Sequence, residues 1–100
     1  VEFRKVFVVE PVHDTSVFKK YTSNVTFLLR GDERAIDMQE RIRENLSEFN
    51  PEQDAFISMG RTTACIIAGL EISRFVGAGS KVKLGIFQGE GDYIFIEVET

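Results

Sequence analysis

The sequence predicts an α+β two-layer sandwich, ordered β-α-β-α-β-β from residue 24 onward, with an extra N-terminal strand. Three observations predict it. Runs rich in β-branched and aromatic residues at 24–30, 55–58, 81–87 and 93–99 read as strands. Two longer segments, 32–49 and 62–75, read as helices by apolar spacing or by continuous apolar content. Strand and helix alternate until a closing hairpin, which places both helices on one face of a mixed sheet.

Each element has its own justification. Residues 3–9, FRKVFVV, form a strand that ends before Pro11. The polar connector PVHDTSVFKKYTS has room for one helical turn. NVTFLLR at 24–30 is the next strand, and Gly31 punctuates it. In segment 32–49, Ala35, Met38, Ile42, Leu46 and Phe49 recur at three- and four-residue steps and form one stripe. Gly31 or Asp32 can start that helix, and Asp32 and Glu33 suit the positive end of its dipole. Asp37 and Arg41 stand four apart in the favourable order. Asn50-Pro51 stops the helix.

After the short strand at 55–58, Gly60 turns the chain into a helix at 62–75. That helix is apolar nearly all round, so cover on more than one side is expected. Ala64 and Ala68 let it lie close to a sheet, and Gly69 suggests close packing there. VGAGS is a loop. In the final hairpin Val82, Leu84 and Ile86 share a face with Ile94, Ile96 and Val98. Tyr93, Phe95, Glu97 and Glu99 point the other way, across the turn QGEGD. Phe87, Phe95 and Tyr93 are then either a stacking platform or pairing surface, or core covered by the added N-terminal strand.

The totals bound the answer. One hundred residues make a single domain over 1–100, divided as N-terminal strand and connector, 1–23, and core, 24–100. Hydrophobic content of 43% and charged content of 28% fit a globular chain. No apolar run approaches the roughly eighteen residues of a membrane span, and no signal-peptide pattern opens the chain. Cys65 is alone in an apolar helix, which reads as a small buried hydrophobe in a reducing compartment, and hence a cytoplasmic protein. Asn24-Val25-Thr26 matches a glycosylation pattern by chance. A net charge of −4 argues against coating DNA by charge alone, though not against a local basic patch.

The stretch SMGRTTACIIAGLEISRF carries the clearest chemical signal. A helix start presents unpaired N–H groups and partial positive charge, so Gly60, Arg61 and Thr62 form an anion receptor. The alternative is a glycine turn, a threonine cap and a solvated arginine. Lys19 and Lys20 beside Tyr21, and Lys81 and Lys83 on a later strand, are further phosphate contacts if they are not simply solvated. Enzyme signals are weak. His13 is the only histidine, no second metal ligand accompanies it, and its neighbour Ser16 is not a triad. VGAGSK lacks phosphate-loop spacing. A non-enzyme without cofactor or metal is expected.

With its element order, that motif resembles the Alba family of small nucleic-acid-binding proteins, over roughly residues 24–99. NVTFLL is similar to the family's first strand. Gly60, Arg61, Glu71, Ile72 and Arg74 fall in step with its central motif, and KVKLGIFQ to YIFIEVE with its last hairpin. The resemblance implies a homodimer or heterodimer with a related chain, paired with help from the second helix, that binds RNA or DNA. It places Arg61 on the nucleic-acid side.

The family's lysine pair after the first strand is replaced by Gly31-Asp32-Glu33, flanked by Arg30 and Arg34. The short acidic QGEGD stands where a basic arm is common. The expectation is therefore a non-catalytic nucleic-acid-binding protein of modest affinity, favouring RNA over bulk duplex DNA. Its alternative is an interaction or assembly module that keeps the fold and has lost the nucleic-acid site.

Overall fold

A computed structural model describes residues 2–100 of the chain. Five strands form one mixed sheet: β1 (Lys5–Val8), β2 (Val25–Phe27), β3 (Asp54–Ile57), β4 (Lys81–Gly89) and β5 (Asp92–Glu99). Two helices, α1 (Ala35–Asn45) and α2 (Thr62–Val76), and a 3₁₀ turn at Ser16–Lys20 complete the fold. The strand order is β2-β1-β3-β4-β5. All neighbours are parallel except the β4–β5 hairpin.

The N-terminal strand is therefore an interior strand of the sheet, between β2 and β3, not an addition at its rim. Val6 pairs with both Val25 and Ala55, and Phe7 with both Thr26 and Phe56. A strand covered on both faces needs apolar side chains on both, and VFVV supplies them. Phe7 and Val9 enter the core beneath the helices, with Phe56, Val82, Met38, Ile42, Ala64, Ala68 and Ile72. Val6 and Val8 enter a second core on the opposite face, with Phe3, Phe18, Tyr21, Ala55 and Ile57. Both helices thus share one face, as the element order predicts. The 3₁₀ turn closes the other with Phe18, which the two-layer expectation had not filled.

The first helix is shorter than the 32–49 expected from its stripe. Met38, Ile42, Leu46 and Phe49 are buried, but Ala35 is exposed. At the start, Glu33 turns inward rather than joining the first turn. Its carboxylate accepts the backbone N–H groups of Arg30 and Gly31. Asp37 pairs with Arg34 at 3.0 Å rather than with Arg41.

On α2, Ala64, Ala68 and Ile72 face the sheet. Glu71 faces α1, where its carboxylate accepts from Arg43 and Gln39. Asn45 of α1 donates to the Leu28 carbonyl after β2, so α1 lies toward β2 and α2 toward β4. The outer side of α2 has no cover. Ile66 is 59% exposed and Leu70 is 65% exposed. No helix is long and apolar enough to cross a membrane among the described residues.

Candidate functional site

The strand-to-helix junction at Gly60-Arg61 is built around a carboxylate that the sequence reading did not single out. Glu10 follows β1 by two residues, and its side chain is fully buried beneath the start of α2. Gly60 makes room for it. With φ at +140°, Gly60 adopts a backbone that L residues rarely take, and a Cβ there would lie 2.7 Å from Glu10 Oε1. Oε1 accepts the Arg61 backbone N–H at 2.7 Å. Arg61 Nε donates to Oε2 at 2.9 Å, and Nη1 donates to the Glu33 carbonyl at 3.0 Å.

The anion receptor expected at Gly60, Arg61 and Thr62 is thus filled from within. Glu10 supplies the negative charge that a helix start attracts and takes the guanidinium as well. Hydrogen bonds from Arg61 hold the Glu10 carboxyl below the ordinary carboxylate range, against the opposing effect of burial. Burial acts to raise Glu33, but backbone donors from Arg30 and Gly31 outweigh it and leave that carboxyl lowered too. Both groups are ionised at neutral pH.

The other expected phosphate contacts do not converge on this junction. Arg30 lies 3.6 Å from Asp32, and Arg34 is paired with Asp37. Lys20 is paired with Asp92. Lys83 donates to the backbone carbonyls of Pro51 and Glu52. Lys19 and Lys81 are exposed and have no acid within ion-pair distance among the described residues. Lys81 stands opposite Glu99 in the hairpin register. Arg30, Arg34 and Lys20 are thus each paired with a neighbouring carboxylate and Lys83 is held by backbone carbonyls, while Lys19 and Lys81 stand apart. Cys65 is half-buried, and burial pushes its thiol up, which suits a packing role.

The open surface lies elsewhere. Tyr93 and Phe95 are not the exposed face of the hairpin: they pack into the second core beside Phe3, Phe18 and Tyr21. Only Phe87 of that set is well exposed. The exposed row is on the helix side. Because α2 covers β3 and β4 but not β5, Ile94, Ile96 and Val98 stand 40–50% exposed, with Ile86 beside them. Their cross-strand partners are Ile86, Leu84 and Val82. Periodicity alone marks these residues as core, because it cannot report how far the helical layer reaches.

No family model, curated protein or solved structure matches the chain. The site's meaning therefore rests on its own geometry.

Proposed function

We propose that this domain is a non-catalytic assembly module that pairs with a second copy of itself through the bare helix-side face of β5. The observation that carries the reading is the row Ile94, Ile96 and Val98 on an eight-residue edge strand with no proline. Such an edge is a template for pairing. The opposite edge, β2, has three residues and offers little. Ile66 and Leu70 of α2 are further uncovered apolar side chains.

Self-pairing also suits the charge pattern. An antiparallel two-fold contact centred on Ile96 sets Ile94 against Val98 of the second copy. On the other face it sets Glu97 against Phe95, so no glutamate faces its own image. A register centred on Glu97 would place like charges together, which is unfavourable. Burying each half-exposed aliphatic contributes about 1 kcal/mol. Roughly eight such side chains across the pair exceed the low end of the estimated cost of association, about 4–15 kcal/mol. The surplus is at most about 4 kcal/mol, so a weak dimer with a dissociation constant on the order of a millimolar follows.

Static light scattering at rising concentration tests this: the average mass is expected to climb toward that of a dimer as the protein approaches about a millimolar. A monomer at every concentration would overturn the reading. The competing function, an Alba-like nucleic-acid-binding protein, rests on the sequence resemblance. Its support here is limited to the exposed Lys19 and Lys81. Saturable, salt-sensitive binding of single-stranded RNA that weakens in Lys19→Ala or Lys81→Ala would favour it over the assembly reading.

A further inference from the structure

We propose that the cleft at the carboxyl ends of β1, β3 and β4 binds a small, flat, uncharged aromatic molecule bearing a hydrogen-bonding group. The cleft holds about 680 Å³, within the range of small-molecule sites. Its position follows from the topology. The chain leaves the carboxyl end of β1 through the 3₁₀ turn on one face of the sheet and leaves the carboxyl end of β3 through α2 on the other. Connections that diverge in this way leave a crevice beyond the strand ends, where open α/β sheets take ligands.

The walls define the ligand's shape. Ile57 and Met59 supply apolar surface on the β3 side. Phe87 and Tyr93 form an aromatic wall, with ring centroids 5.5 Å apart and planes inclined at 59°. Tyr93 is anchored from behind by Phe18, at 5.1 Å. Phe87 is 60% exposed, so its ring face is open to a ligand entering the cleft.

The polar lining defines the ligand's charge. The His13 imidazole and the Ser58 hydroxyl line the cleft, are exposed, and engage no hydrogen-bond partner among the described residues. Each offers a hydrogen-bonding atom to a ligand. The charged side chain in the lining is Asp14, held by the Ser16 backbone N–H and hydroxyl. Those hydrogen bonds keep its carboxyl lowered and ionised. Among the described residues no lysine or arginine lines the cleft. An anionic ligand would meet the Asp14 carboxylate and no lysine or arginine, so phosphate esters and carboxylates are disfavoured.

The test uses the isotopically labelled full chain and three probes: indole, quinoline and phenyl phosphate. Indole and quinoline should give saturable amide shifts at His13, Ser58, Phe87 and Tyr93, with dissociation constants on the order of a millimolar for fragments of this size. Phenyl phosphate should bind at least about tenfold more weakly. Phe87→Ala should keep the wild-type spectrum elsewhere, because the ring is exposed, and should weaken indole about tenfold. Ser58→Val should weaken both neutral probes several-fold. Unsaturable shifts scattered over the surface would overturn the proposal. So would equal binding of phenyl phosphate, or undiminished binding by a folded Phe87→Ala.

Discussion

Replacing Glu10 with glutamine tests whether the junction is held from inside. The substitution keeps the side chain's shape and removes its charge. In the wild type the buried carboxylate accepts the Arg61 backbone N–H at 2.7 Å and the guanidinium at 2.9 Å. An amide retains one acceptor oxygen but turns an NH₂ group toward other donors. Breaking a buried ion pair from one side costs about 3–5 kcal/mol when the stranded charge stays buried. Arg61 is 43% exposed and can turn toward water, which reduces that cost. Charge-assisted hydrogen bonds of this kind are worth about 1.5–3 kcal/mol. Roughly 2–3 kcal/mol is therefore expected for Glu10→Gln. For a domain of this size that lowers Tm by about 10–20 °C. Thermal unfolding followed by circular dichroism at pH 7 measures it. Adding Arg61→Ala to Glu10→Gln should cost less than the sum of the two single changes, because both remove one shared interaction. A Tm within about 3 °C of wild type, or full additivity, would refute the account. The same variant frees Arg61, so RNA binding that appears only in Glu10→Gln would show an anion receptor blocked by its own carboxylate.

Other outcomes follow from the same geometry. Gly60→Ala should destabilise the fold by about 1–3 kcal/mol in chemical denaturation, since it combines a positive φ with a 2.7 Å contact to Glu10. Gly85→Ala should cost a similar amount, about 1–3 kcal/mol, because its Cβ would lie 2.7 Å from the Phe95 ring and 2.9 Å from Ile57. Hydrogen bonds from Arg43 and Gln39 pull the Glu71 carboxyl down to about 2. A carboxyl lowered in the folded state stabilises it above the ordinary value, roughly 4.3, and that stability is lost as pH falls toward the folded value. Glu71→Gln should therefore lower Tm at pH 6, and its Tm should approach that of wild type near pH 2. Ile96→Asp should abolish the dimer by light scattering while leaving the monomer folded, because nearly half of Ile96 already faces solvent.

Much of the fold is legible in the chain because short-range physics sets it. The apolar run VFVV and the stripe Met38, Ile42, Leu46 and Phe49 announce their elements wherever they dock. Glu10 was harder to see. Its one signal is an acid closing an apolar strand just before Pro11, and nothing local says that a glycine fifty residues later clears a space for it. Arg61 was visible as a cation at a helix start, but its partner was not, because the two meet only when β1 lies beside β3.

The sequence by itself determined which segments are strands and helices, where the chain turns, and that a helix apolar nearly all round would bring Gly-Arg to its own beginning. Those features depend on side-chain periodicity and on backbone preferences within a few residues. Tertiary structure alone decided that the first strand lies inside the sheet, that β5 is bare beside α2, and that Arg61 faces inward to a carboxylate. Strand order and the reach of a helical layer depend on contacts between residues distant in the chain, and no local pattern encodes them.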